Sequence, residues 1–243
     1  MRKLSAAVHY ECATSFKYIW IFYLASFLVV GVIYLIAGFS TGSFDGVGTN
    51  CLEMNSMVFI GVLGVLGFKE DFKMLIQNGY TRKYIYLATF SLFIFDAAIM
   101  SLVDTVIGKV LHTAISNDYD TIFGSLYGYG HSVFMGWLWL FFVYMLICSL
   151  FYLVILAINK LEKRGSLYLG IGVVAFVLIV IAIFQFVLPG GTVDGLLEFL
   201  YKGCGFMADG TVNLIYPILL LILLIGLFGA GAYMVVRRTE LRG

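Results

Sequence analysis

The chain has 243 residues, of which 62% are hydrophobic, 17% aromatic and only 12% charged, and its net charge is +1. A soluble globular domain is nearer half apolar and a quarter charged. This composition therefore excludes a soluble domain and predicts an integral membrane protein. The apolar runs are about twenty residues long, the length that crosses the hydrocarbon core as an α-helix. They do not alternate with polar residues as the strands of a membrane β-barrel do.

The first eighteen residues predict an amphipathic helix that lies along the membrane surface. An apolar residue recurs at every fourth position, at Leu4, Val8, Cys12 and Phe16. The charged residues of the segment lie off this stripe, as expected for a helix in the plane of the interface. A frayed tail is the alternative for residues 1–18.

Hydropathy along the rest of the chain predicts six transmembrane helices, which makes the fold class all-α and polytopic. The predicted spans are 19–39, 52–68, 84–107, 133–158, 167–188 and 212–236. The second is the shortest, and it carries Glu53 and Asn55 in its first turn. Pro217 is expected to kink the sixth. We expect residues 1–243 to form a single transmembrane domain.

The positive charges predict the orientation of the spans. Thirteen of the fifteen Lys and Arg residues fall at the two termini and in the loops after spans two and four. Only Lys109 and Lys202 fall on the other side. By the positive-inside rule both termini are therefore cytoplasmic. Cys51 and Cys204 would both lie outside, and the sequence leaves open whether they pair.

A charge-rich stretch between spans two and three predicts a short amphipathic helix at the cytoplasmic surface, within residues 68–80. Its apolar stripe, at i, i+4, i+7 and i+8, consists of Phe68, Phe72, Leu75 and Ile76. Another face carries Lys69, Lys73 and Gln77. Asn78 and Gly79 predict the end of this helix, because glycine readily adopts the left-handed conformation that stops one. A solvated loop whose charges only set the orientation is the alternative.

The segment 189–210, before span six, is predicted to be a re-entrant or interfacial helix on the outer side. It begins at Pro189 and contains the apolar piece LLEFLYKGCGF. This piece is apolar enough to enter the bilayer and too short to cross it.

Asp96 is the polar residue nearest the middle of a predicted span. An Asp at a helix centre costs about 2.5–3.5 kcal/mol on insertion scales, and the twelve Leu, Ile, Phe and Val residues of span three return about 4–7 kcal/mol. The span therefore inserts, with its carboxylate turned away from lipid. An acid inside a membrane is a functional hypothesis. A hydrogen bond between helices is the interpretation we favour, and proton coupling is the alternative.

Two stretches, FKEDFKMLIQNGYTRKYIY between spans two and three and VVRRTELRG after span six, resemble the type-2 ABC-transporter permeases, especially the small half-size ones of Firmicutes. The order of surface helix, six spans and dipping segment matches that family along the whole chain, although each motif is degenerate. The resemblance implies the membrane-spanning subunit of an ATP-driven exporter in a bacterial cytoplasmic membrane. Such a subunit is not an enzyme by itself.

The resemblance also implies that residues 69–77 form a coupling helix, which docks in a groove of a separate ATPase subunit. The docking residues would be Phe68, Lys69, Glu70, Asp71, Phe72, Lys73, Leu75, Ile76 and Gln77. The sequence has no G-x-x-x-x-G-K-[ST] phosphate loop, so ATP and Mg would enter through the partner. No cofactor, metal site or catalytic residue is predicted for this chain. Its implied partners are the ATPase, a second copy or a sister permease, and membrane lipid, with no nucleic acid.

The predicted activity is therefore export of amphipathic or hydrophobic cargo, peptide or lipid-like, by alternating access. The apolar and aromatic composition of the spans favours such cargo over sugars or ions. One alternative is a stand-alone membrane immunity or scaffold protein, which would purify without an ATPase. A second is a proton-coupled transporter that uses Asp96. An intramembrane metalloprotease is disfavoured because no H-E-x-x-H motif occurs.

Overall fold

The computed structural model describes residues 2–41, 52–67, 73–114, 119–161, 190–207 and 209–237, with scattered positions between 165 and 183. Across these ranges the protein is all-helical. They contain no strand, and the only β-type pairing among them is an isolated antiparallel bridge between Phe206 and Val212. The predicted all-α fold class is confirmed.

The helices of the described ranges follow one another in this order: α1 Arg2–Thr41, α2 Leu52–Leu66, α3 Lys73–Gln77, α4 Arg82–Ala114, α5 Ile122–Tyr127, α6 Val133–Lys160, α7 Gly190–Gly203 and α8 Ile215–Arg237. The chain divides into two compact units, Met1–Tyr152 and Leu153–Gly243. The boundary falls inside α6, which is continuous. Each unit is described below by itself.

Four of the described helices are long and apolar enough to cross a membrane. They are Val8–Ser40, Arg82–Ala114, Val133–Lys160 and Ile215–Arg237. These helices correspond to the predicted spans one, three, four and six, so the protein is a multi-pass membrane protein by the length and composition of its helices. Helix α2 is apolar but has 15 residues, about 22 Å at 1.5 Å per residue. Most of predicted span five, 167–188, lies outside the described residues.

Helix α1 differs from its prediction. The surface helix over residues 1–18 and the following span were expected to be separate, but α1 runs unbroken for 40 residues. The side of α1 that is buried in the first unit, for which no prediction was made, lies one position away from the apolar stripe that was expected to face the membrane. The side chains that it turns into the first unit, four residues apart, are Glu11, Ser15, Ile19 and Tyr23. Phe16, a member of the predicted stripe, is 41% exposed. Lipid is itself apolar, so polar side chains on a membrane helix turn toward other helices.

Helices α1 and α4 run side by side in the same direction, because Ser15 contacts Asp96 and Tyr23 contacts Asp104. Helix α2 runs the opposite way. Its glycines allow close approach to its neighbours, as small residues do in membrane bundles. A Cβ added to Gly64 would lie 2.9 Å from the backbone oxygen of Cys148 on α6. Helices α2 and α6 therefore pack closely at Gly64.

The second unit contains a hairpin of α7 and α8. Asn213 N donates to the oxygen of Gly205 at 2.8 Å, and Met207 N donates to that of Thr211 at 3.0 Å. Gly205 has a φ of +94°, in the left-handed region that glycine tolerates best. Within this turn, hydrogen bonds from Thr211 hold the pKa of Asp209 below its ordinary value.

Helix α7 falls within the segment predicted to be re-entrant. It has 14 residues, about 21 Å at 1.5 Å per residue, which is too short to cross a bilayer. An ion pair joins Lys202 Nζ and Glu198 Oε1 at 2.9 Å, while Phe199 is 71% exposed. Its placement relative to a membrane stays a prediction.

The predicted kink at Pro217 is wrong for a positional reason. Helix α8 begins at Ile215, so Pro217 lies in its first turn. The backbone N–H groups of a first turn have no partner within the helix, and a proline there removes no helical hydrogen bond.

Candidate functional site

The connection between α2 and α4 contains the residues predicted for docking. Phe68, Lys69, Glu70, Asp71 and Phe72 lie outside the described residues. From Lys73 the chain forms the short helix α3, which ends at Gln77. Helix α4 then begins at Arg82. We call this side of the first unit, where residues 73–81 lie, the α3 end. The opposite side, where residues 119–132 lie, is the α5 end.

The predicted stop after Gln77 is confirmed in detail. Gly79 has a φ of +74°, and its N–H donates to the oxygen of Ile76 at 2.9 Å. The N–H of Tyr80 donates to the oxygen of Leu75 at 3.0 Å. These two bonds form a Schellman motif, which satisfies carbonyl groups that the end of a helix leaves open. The motif fixes the path of the chain from α3 into α4.

Leu75 was predicted to be part of the docking surface, but it is buried in the first unit. Its side chain is only 2% exposed, so it packs inside its own chain and is not available to a partner. Ile76 is partly buried, whereas Gln77 and Asn78 are exposed. The apolar stripe was expected to face another protein. At Leu75 it holds α3 in place on the first unit instead.

Asp96 lies in the interior of the first unit, with no exposed surface. The hydroxyl of Ser15 on α1 donates to Asp96 Oδ1 at 2.6 Å. The side chain therefore faces other helices, as we expected for a carboxylate in a span, and one of its contacts is a hydrogen bond between helices.

A cavity of about 310 Å³ lies between α1, α2 and α4, and Asp96 lines it. We call it the α1–α4 cavity. Its polar lining comes from Tyr10, Glu11, Thr14, Ser15, Tyr18 and Asp96. Its apolar lining comes from Leu63, Leu66, Gly67 and Leu92. Two carboxyl groups, those of Glu11 and Asp96, thus face one space inside a membrane protein.

Glu11 was not predicted to be a residue of the bundle, because the charged residues of 1–18 were expected to lie off the side of the helix that faces the membrane. Glu11 is only 3% exposed. A signal for its true position exists in the sequence. Glu11, Ser15 and Tyr23 lie on one face of an α-helix, since they are separated by four and eight residues.

Asp104 forms a second buried site on α4, closer to the α5 end. Tyr23 of α1 donates its hydroxyl to Asp104 Oδ1 at 2.9 Å, and Tyr144 of α6 donates to Oδ2 at 2.5 Å. Both oxygens of this carboxyl group therefore accept a tyrosine hydroxyl, and the residue joins three helices. The space beside it is only about 10 Å³.

The α5 end contains a third buried carboxyl group, that of Glu53. Its Oε2 accepts the N–H of Ile122 at 3.1 Å, and Thr121 caps the same helix by accepting the N–H of Gly124 at 3.0 Å. Glu53 thus holds the first turn of α5 against α2. A small cavity of about 60 Å³ adjoins it.

His112 at the α5 end contacts an aromatic ring and a backbone oxygen. The ring of His112 stacks on Tyr129 with 3.7 Å between centroids, and its Nδ1 lies 2.6 Å from the oxygen of Tyr119. In the part of the chain that the structure describes, no group of three His, Cys, Asp or Glu side chains is placed to hold a metal ion.

Comparison of the chain with protein-family models gives no match, and comparisons with curated proteins and with solved structures find no significant one.

Proposed function

We propose that this protein is the membrane-spanning permease subunit of an ATP-driven ABC exporter. The observation that carries the proposal is the connection between α2 and α4, which is longer than the roughly 2–8 residues usual between packed helices. Its described part is an ordered helix, held to the first unit by Leu75 and ended by the motif at Gly79. A coupling element needs this combination, because it must both meet a partner and move together with a span.

In the proposed mechanism a separate ATPase subunit contacts the exposed end of α3, at Gln77 and Asn78, together with residues 68–72. Closure of the ATPase around ATP moves α3, and Leu75 transmits the motion to the first unit. Helix α4 then shifts against α1 and α6, to which Asp96 and Asp104 connect it.

The proposed assembly is a pair of permeases, two copies of this chain or this chain with a sister, in a bacterial cytoplasmic membrane with both termini inside. Its cargo is amphipathic or hydrophobic, peptide or lipid-like, and moves outward by alternating access. ATP and Mg bind the partner subunit and not this chain.

The test is recovery of the tagged chain from its native host in a gentle detergent, with mass spectrometry of what accompanies it. We expect an ATPase subunit in roughly equal amount. Gln77→Trp places a large side chain on the exposed end of α3 and should abolish this recovery. Ser125→Trp makes the same change at an exposed position of α5 and should leave recovery intact.

Two results would count against the proposal, in different ways. A wild-type chain that purifies alone contradicts the permease assignment and favours a stand-alone immunity or scaffold protein. An ATPase that is recovered equally with both variants leaves the permease in place and removes α3 from the docking surface. Leu75→Ala serves as a further control, because it should lower the amount of folded chain rather than selectively release the ATPase.

A proton-coupled transporter is a second candidate, favoured by the two carboxyl groups in the α1–α4 cavity. Buried acids of this kind occur in proton relays. Its test is uptake of protons into liposomes that contain the purified chain alone. Uptake that Asp96→Asn abolishes would support this candidate, and no uptake above protein-free liposomes would reject it.

A further inference from the structure

The described polar lining of the α1–α4 cavity consists of oxygen groups and includes no basic side chain. Every polar side chain that the structure describes there is a carboxyl group or a hydroxyl group, from Tyr10, Glu11, Thr14, Ser15, Tyr18 and Asp96. Carboxylates and hydroxyl oxygens accept hydrogen bonds, and ionised carboxylates attract positive charge strongly where the local dielectric constant is low. The composition of the lining therefore favours a ligand that is positive.

The two smaller hydroxyl groups of the lining have already used their hydrogens. Ser15 donates to Asp96 Oδ1 at 2.6 Å, and Thr14 Oγ1 donates to the backbone oxygen of Tyr10 at 3.0 Å. A hydroxyl group has one hydrogen and two lone pairs, so each of these oxygens has only acceptor capacity left for a ligand. These hydroxyl oxygens, like the carboxyl groups, therefore favour a ligand that donates hydrogen bonds.

The other residues that line the cavity are aromatic or apolar, and they match the charged group and the hydrocarbon part of such a ligand. Tyr10 and Tyr18 are 61% and 50% exposed and stand at its rim. A cation within about 6 Å of an aromatic ring is attracted to the face of that ring. Leu63, Leu66 and Leu92 supply an apolar wall on the side of α2 and α4. A positive group and a hydrocarbon tail therefore both find matching surfaces.

The size of the cavity decides between a metal ion and an organic group. Its volume of about 310 Å³ lies at the lower end of the roughly 300–1,000 Å³ typical of small-molecule sites. Within the described ranges no three His, Cys, Asp or Glu side chains converge on a metal position. An organic cation fills this space better than a bare ion.

From these observations we propose that the α1–α4 cavity binds an ammonium or guanidinium group carried on an apolar tail. The charged group donates to the carboxyl groups of Glu11 and Asp96 and to the oxygens of Thr14 and Ser15. The tail lies against the leucines of α2 and α4. This site does not depend on whether an ATPase docks on α3.

The test uses the full chain, purified in an uncharged detergent, and octylamine as the probe. We expect octylamine to raise the midpoint of thermal unfolding in a saturable way, because a ligand that binds the folded state stabilises it. Octanol has the same tail without the charge and should give no saturable rise. Equal shifts with the two compounds would overturn the proposal.

Four variants locate the site. Glu11→Gln and Asp96→Asn should each weaken binding of octylamine about tenfold or more, the effect of losing roughly 1.4 kcal/mol of interaction. Thr14→Leu keeps both carboxyl groups but occupies the cavity, and it should abolish binding in a chain that still folds. Glu53→Gln is the matched control, a buried carboxyl group elsewhere that keeps an acceptor for Ile122. Equal loss of binding in Glu53→Gln and Asp96→Asn, or full binding in Thr14→Leu, would contradict the assignment.

Two sources could supply the ligand, the amine head group of a lipid or a free amphipathic amine. Native mass spectrometry of the chain from nanodiscs distinguishes them, with phosphatidylethanolamine compared against phosphatidylglycerol. Retention of phosphatidylethanolamine that Thr14→Leu abolishes supports the site with a lipid source. Binding of octylamine without such retention supports it with a free amine, and the absence of both overturns it.

Discussion

Asp96 and Asp104 are the same residue type on the same helix, separated by eight residues and both buried, yet their surroundings differ sharply. Asp104 accepts hydroxyl groups from two tyrosines on two other helices, and the space beside it is about 10 Å³. Asp96 accepts the hydroxyl of Ser15 and lines a cavity of about 310 Å³. The first carboxyl group joins helices, and the second also borders a space that a ligand can fill.

Part of the difference lies in the residues that α1 places opposite the two acids. Because α1 and α4 run parallel, the two residues of α1 that contact these acids are also eight positions apart. Ser15 contacts Asp96, and Tyr23 contacts Asp104. Tyrosine reaches across the gap and fills it, whereas serine makes its hydrogen bond and leaves room. At Asp104 the hydroxyl of Tyr144 from α6 occupies the second oxygen as well, whereas no described residue of α6 lines the cavity beside Asp96.

Removal of Asp104 should have the largest effect on stability. Asp104→Ala leaves the buried hydroxyl of Tyr144 without its acceptor and opens a void, which together cost about 2–5 kcal/mol. Asp96→Ala should cost less, about 1–2 kcal/mol, because the space beside it is already open. Unfolding in a detergent titration measures both. Equal losses would show that the two sites do not differ as described.

The two tyrosines should behave as one unit. Tyr23→Phe and Tyr144→Phe each remove a hydrogen bond to the same carboxyl group, at a cost of about 1–3 kcal/mol. A double-mutant cycle should give a coupling energy above about 0.5 kcal/mol, as expected for neighbours that share a partner. The pair Ser15→Ala and Tyr23→Phe is the control, and it should be additive. Additivity in both cycles would contradict a shared site at Asp104.

A substitution that enlarges a side chain should distinguish the two spaces directly. Ser26 lines the space of about 10 Å³ beside Asp104, and Thr14 lines the α1–α4 cavity. Ser26→Leu forces atoms into a filled region and should cost about 1–3 kcal/mol. Thr14→Leu on the same helix should be close to neutral, because its added atoms enter open space. The two midpoints of thermal unfolding provide the comparison.

The smallest effect is expected at Ser15. Ser15→Ala removes one hydrogen bond between helices, and such bonds contribute about 0.6 kcal/mol on average inside membranes. The free energy of unfolding should fall by about this amount. A loss as large as that of Asp104→Ala would mean that Ser15 organises the packing of α1 rather than only contacting Asp96.

The sequence predicted those features that depend on local pattern. Long apolar runs predicted the spanning helices, and the pair Asn78–Gly79 predicted the end of α3, because its backbone conformation depends on the residues themselves. The burial of Leu75 was not predicted. An apolar stripe shows that a side chain will be covered, but not whether its own chain or another protein covers it.

The contacts of the candidate site could not be predicted from the sequence, for a different reason. Tyr23 and Asp104 are 81 residues apart in the chain, and no periodicity links the two helices that carry them. The buried side of α1 was not predicted, because the usual rule that apolar residues are buried reverses in lipid. The outward side of a membrane helix is apolar, so polar positions such as Glu11 and Ser15 are the ones that mark the inward side.

The length of α1 has a consequence for its surface. The eighteen residues from Leu24 to Thr41 continue for about 27 Å beyond the hydrogen bond at Tyr23. In this part of the helix, Ser26 and Phe27 face α2 and α4, whereas Leu24 and Leu28 are each more than 60% exposed. One face of α1 therefore stays against the bundle, and the other is an apolar surface that lipid tails would cover in a membrane.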